Sequence, residues 1–94
     1  MTVLVVTHRV ADVDAWKPYF DGHEAVRRRH GATGHRVYNS AVDPGDLTVE
    51  MIFPDRTSAE AFLGDPSLKE TMAASGVTTE PIASFRETVE EKSY

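Results

Sequence analysis

No other segment limits the possible folds as strongly as Asp12 to Gly31, which reads as one amphipathic helix. At about 100° per residue, Trp16, Tyr19, Phe20, His23, Val26 and His30 fall within roughly a third of the circumference, and Lys17, Asp21, Glu24, Arg28 and Arg29 lie outside it. A helix of this kind must lay its apolar side on another layer, and here that side carries a histidine, His23, near its centre. Asp12 or Asp14 can cap the start, and Gly31 after His30 can stop the helix. Pro18 removes an early helical hydrogen bond and biases Lys17 away from helical angles, so a kink or tight first turn is expected there.

The segments around this helix read as strands and shorter helices. Thr2 to Val10 is rich in β-branched residues and apolar on both alternating sets, Val3 and Val5 on one side and Leu4, Val6 and Val10 on the other. A strand of that kind is covered on both faces, and in so short a chain a partner molecule can supply the second cover. Thr33 to Ser40 and the alternating run Leu47 to Phe53 flank the turn signal Asp43-Pro44-Gly45-Asp46, which makes them a hairpin. Thr57 or Ser58 can cap a second helical region containing Ala59, Phe62 and Leu63. Gly64-Asp65-Pro66 breaks it, and Asp65 as cap with Pro66 behind it starts another short helix bearing Leu68 and Met72, closed by Gly76. Ile82 to Val89 is the last strand candidate, and Glu90 to Tyr94 reads as a frayed tail that a dimer could order.

The order strand, helix, strand, strand, helix pair, strand is the split βαβ arrangement: α+β, ferredoxin-like, with the helices on one face of a four-stranded antiparallel sheet, as in a dimeric α+β barrel. The 94 residues form one domain, 1–94, whose small size limits its core. A formal charge of −5 argues against nucleic acid or an anionic membrane as partner. The absence of cysteine removes disulfide and thiolate chemistry and makes the cytoplasm the expected compartment. Arg27-Arg28-Arg29 is the one basic run. Its first reading is positive charge complementing a helix C-terminus, and its second is an anion or carboxylate contact, chiefly through Arg27 at the border of the apolar stripe.

The element order, the His8-Arg9-Val10-Ala11-Asp12 entry to Trp16, the Asp43-Pro44 hairpin turn and the Gly64-Asp65-Pro66 break resemble the dimeric α+β-barrel superfamily. That group includes antibiotic-biosynthesis-monooxygenase-like proteins and small polyketide cyclases. The resemblance covers nearly the whole chain and is one of layout. It implies a homodimer with facing sheets, a cavity between sheet and helices in each subunit, and an aromatic or polyketide-like substrate handled without metal or organic cofactor. The chain departs from monooxygenase-like members at Ser67, where they often carry a histidine, and at Met51 and Phe53, where an acidic residue and a tryptophan are common.

The chemistry-bearing candidates converge on the apolar side of the long helix. His23 has Trp16 and Phe20 before it and Arg27 four residues after it, the spacing that brings helical side chains together. Desolvation and a nearby positive charge both favour neutral imidazole, which suits a general base acting on a phenol or an enolisable carbon. Its plain alternative is a core histidine bonded to a backbone carbonyl or to Tyr38. Arg27 and Tyr38 are the candidates for steadying negative charge on oxygen. Trp16, Phe20, His8, His35, Met51 and Phe62 are assigned to the substrate-binding lining, although for His8, His35 and Trp16 a structural role is at least as well supported. His23 and His30 lie about 10 Å apart along a helix, too far to share one zinc ion, and no metal or nucleotide motif is present. The leading expectation is a cofactor-independent cyclase, isomerase or monooxygenase. Its rivals are a non-catalytic dimeric ligand-binding or stress-response module and an interaction protein using an exposed sheet edge. A pocket of a few hundred Å³ beside His23 would separate enzyme from module.

Overall fold

The computed structural model describes residues 1–94. In chain order the elements are β1 (Thr2–Arg9), α1 (Val13–Gly22), α2 (Glu24–Arg29), β2 (Gly34–Asn39), β3 (Asp46–Phe53), α3 (Arg56–Leu63), α4 (Pro66–Ala74) and β4 (Ile82–Glu87). The strands form one antiparallel sheet in the order β2-β3-β1-β4, the ferredoxin-like topology that the element order predicts.

The pleat divides the sheet into two chemically different faces. Thr2, Leu4, Val6 and His8 of β1 and Leu47, Val49, Met51 and Phe53 of β3 are all buried and point to the helical layer, where Trp16, Phe20, Ala59 and Phe62 complete the core. The opposite face of the same strands carries Val3, Val5, Thr7, Glu50 and Ile52, none of them fully buried. The register sets Arg36 beside Glu50 and Tyr38 beside Thr48 on that face.

The local chemistry explains most element ends. Asp12 caps α1 by accepting the Asp14 N–H, and Asp65 caps α4 by accepting that of Ser67. Gly31 and Gly76 end their helical segments at positive φ, 96° and 86°, a region that glycine enters without steric cost. The cap of α3 is Asp55, which accepts the Ser58 N–H at 2.7 Å, rather than Thr57 or Ser58. Asp55 stands one turn earlier, on extended backbone directly after the Pro54 that ends β3, and its carboxylate reaches the free amide of the first turn.

The single long helix expected from Asp12 to Gly31 is two helices. The chain stays helical through Pro18 and breaks instead at His23, directly after Gly22, where a φ and ψ of −91° and 1° separate α1 from α2. Gly22 weakens the helix there, and the Phe20 carbonyl, which accepts the His23 N–H at 3.2 Å, takes a second donor, the Arg27 guanidinium, at 2.7 Å. The buried stripe is therefore Trp16, Phe20, His23 and Arg27, while Tyr19, expected inside, is 47% exposed.

Candidate functional site

The break between α1 and α2 turns His23 and Arg27 into the space between the helical layer and the sheet. There they line a cavity of about 40 Å³ together with Trp16, Phe20, His8, Val6, Val49, Met51 and Phe62. Leu68, Thr71, Met72 and Ser75 of α4 form its remaining wall. Space of that size holds on the order of three water molecules and no aromatic ring. The pocket of a few hundred Å³ expected beside His23 is thus absent in this conformation, with Leu68 and Met72 of α4 packed against the core at its wall.

Of the nine residues that the sequence nominates, seven converge on this cavity: His23, Arg27, Trp16, Phe20, His8, Met51 and Phe62. Two do not. Tyr38 is 45% exposed on the far face of the sheet, because its register partner Thr48 points away from the helices. The sheet therefore separates it from His23. His35 does face the helical side, across from Met51, but its exposed ring packs edge-on against Phe20 at 4.9 Å and lies outside the cavity wall.

An aromatic frame fixes the polar groups. Trp16 and Phe20 stack at 4.9 Å, His8 meets the edge of Trp16 at 6.1 Å, and Phe62 lies 5.8 Å from His23. The Arg27 guanidinium sits 3.8 Å above the Phe20 ring. Partner to His23 is Ser67, a residue the sequence marks only as a departure from a related pattern: its Oγ lies 2.8 Å from His23 Nε2. A neutral imidazole accepts the Ser67 hydroxyl at Nε2 or donates to it, according to tautomer. Asp65, whose carboxylate receives the Ser67 N–H and the His30 ring at 2.9 Å, anchors the turn that presents Ser67. The helix-start signal Asp65-Pro66-Ser67, followed by Leu68 and Met72 at helical spacing, already placed α4 over the sheet. What it could not give was the distance from Ser67 to His23, forty-four positions away.

Burial, reinforced by the Arg27 charge, lowers the His23 pKa below 6.5, with Asp65 pulling weakly the other way. Burial likewise lowers His8, and burial with the Arg27 charge lowers His35. Asp65 is held far below the usual carboxylate range by His30, by the Ser67 amide and hydroxyl, and by Arg29. Two buried polar atoms on the cavity wall have no partner in the protein, Arg27 Nη2 and His8 Nδ1. No three histidine or acidic side chains converge on a possible metal position. No helix is long and apolar enough to cross a membrane.

No protein-family model and no curated protein matches the sequence. Solved structures do. SnoaB, a cofactor-independent oxygenase from Streptomyces nogalater, superposes with a TM-score of 0.70 at 17% identity, covering 96% of this chain and 97% of that one. A protein from Bordetella bronchiseptica, provisionally named an antibiotic biosynthesis monooxygenase, superposes at 0.78 with 12% identity and 95% and 97% coverage. Another with the same provisional name, from Caulobacter crescentus, gives 0.74, 18%, 95% and 90%. At these identities the likeness is one of fold, and the fold of this chain is that of the antibiotic-biosynthesis-monooxygenase-like proteins.

Proposed function

We propose that the protein is a small cofactor-independent enzyme that uses general acid–base chemistry on an aromatic or polyketide-like substrate. The observation that carries this reading is a buried His23, biased to its neutral form, set beside Arg27 on the wall of a cavity and hydrogen-bonded to Ser67. The shared fold with SnoaB, a cofactor-independent oxygenase, supports the reaction class.

In this reading His23 takes a proton from a phenol or an enolisable carbon, after the Ser67 hydroxyl turns away from Nε2 or relays the proton through its own oxygen. Arg27 Nη2 donates to the oxygen on which negative charge develops, inside an apolar wall that strengthens the interaction. The resulting enolate can close a ring by attack within the substrate. With dioxygen as co-reactant, a phenol ring C–H can instead become a quinone carbonyl, one oxygen atom entering the ring and the other leaving as water. An aromatic substrate needs more room than the present cavity offers, so Leu68 and Met72 must yield on binding. α4 has no fully buried residue to hold it in place.

The small cavity is also what favours a second reading, a non-catalytic dimeric ligand-binding or stress-response module in which side chains fill the core. The two separate on His23→Gln. On a substrate that the wild type converts, the enzyme reading expects a rate loss of about 10²–10⁴ with the fold retained. Unchanged turnover would remove His23 as base. For both readings we propose a homodimer joined through the sheet face that carries Val3, Val5 and Ile52, and a cytoplasmic setting.

A further inference from the structure

Arg27 is a buried cation without a counter-ion. It is 2% exposed and forms no salt bridge, whereas Arg9, Arg28, Arg29 and Arg56 each pair with a carboxylate. One terminal nitrogen donates to the Phe20 carbonyl at 2.7 Å, and the other, Nη2, has no partner. Glu24 and Asp21 act on it only through space. Taking an ion out of water costs several kcal/mol, roughly, and the Phe20 carbonyl and ring face offset only a part of that without supplying a negative charge. The unpartnered nitrogen belongs to a residue lining the cavity, and that cavity of about 40 Å³ has the size of a carboxylate group rather than of a whole organic molecule.

The cavity has a neighbour. On the other side of Leu68 and Met72, a groove of about 520 Å³ runs between α4 and the sheet, floored by Val6 and Ala83 and walled by Leu63, Val77 and Pro81. Val6, Leu68 and Met72 line both spaces, so a shift of two side chains joins them. The groove bears one cation and one anion, Lys69 and Glu80, and gives no net preference for charge.

We infer that the ligand of this site is an organic monoanion, an aryl or alkyl carboxylate or an acidic phenol, that enters head first. Its charged oxygen reaches Arg27 Nη2, and its apolar body lies in the groove between α4 and β4. The inference rests on the same cavity as the proposed function and names the class of molecule that this cavity selects.

Benzoate and its neutral analogue benzamide test it, with fluorescence of the single tryptophan, Trp16 on the cavity wall, as readout. Saturable binding of benzoate, tighter than that of benzamide by on the order of tenfold or more, is expected from a hydrogen bond to a charged group. Arg27→Met should abolish the difference. Equal affinity for the two probes, no binding of either, or a preference that survives in folded Arg27→Met overturns the inference. Should Arg27→Met fail to fold, the Arg27 guanidinium resonances of the wild type decide: a shift with benzoate but not benzamide supports the inference, and none overturns it. Ala83→Phe, at an exposed position of the groove floor, should weaken benzoate but not formate. Unchanged benzoate affinity there refutes the placement of the apolar body. A protein that converts a phenol through His23 yet ignores the charge of these probes refutes this inference alone. One that binds benzoate through Arg27 while its phenol chemistry survives His23→Gln refutes only the base assignment.

Discussion

Desolvation shifts three histidines in the same direction, by full burial for His8 and His23 and, for the exposed His35, by the partial cover of its ring together with the Arg27 charge. His8, His23 and His35 are all held below 6.5 in the folded protein, so near that pH the unfolded chain binds more protons than the fold does. Their contribution to stability is present above 6.5 and is lost as pH falls through 6.5 toward the folded values. Thermal melting should therefore come at lower temperature at about pH 5.5 than at about pH 7.5, and His23→Gln should narrow the gap. An unchanged or higher midpoint at the lower pH would contradict the burial argument. A second loss follows below 3.8, where Asp43, Asp55 and Asp65, whose pKa values are all depressed, become protonated. The sequence made His23 and Arg27 legible because four-residue spacing on an amphipathic helix brings side chains together. Arg27 was read as a border residue and is a buried one, its guanidinium packed on the Phe20 ring and donating to the Phe20 carbonyl, contacts that hydrophobic periodicity does not register.

Elements were easier to read than their ends. All four strands and the split of the second helical region follow from alternation and from Gly64-Asp65-Pro66. The first helix was read as continuous because apolar spacing persists across Gly22, whereas backbone hydrogen bonding does not. The cap of α3 gives a clean test of the local account. Asp55→Ala should cost about 1 kcal/mol in urea unfolding, and Thr57→Ala, at the position read first as the cap, about 0.5 kcal/mol or less. The reverse order would mean that the Asp55 carboxylate does not hold the first turn. In the core, Phe62 is 1% exposed and touches Phe53, His23 and His30, so Phe62→Ala should cost about 3–5 kcal/mol and unsettle the cavity wall with it.

At the scale of the whole molecule, the fold consists of one sheet with helices on a single face. The other face carries Val3, Val5 and Ile52 among polar residues, with Ile82 71% exposed at the edge strand. Light scattering in solution should give twice the 10.4 kDa chain mass, and Val5→Glu should shift it toward the monomer. A wild-type monomer would leave the apolar set of β1 uncovered and remove the homodimer from the account. Sequence reading reached the layout and most of the cavity wall. It missed how tightly α4 closes that wall, because the spacing of Leu68 and Met72 gives a direction and not a depth. The central claim is that the cavity beside His23 receives a ligand while His23 stands ready as a neutral base. An NMR titration of labelled histidines, alone and with 1-naphthol, tests it most directly. The account predicts a His23 midpoint below 6.5 that moves when the phenol binds. A midpoint at the free value, unmoved by the phenol, would make His23 a structural histidine and the protein a binding module.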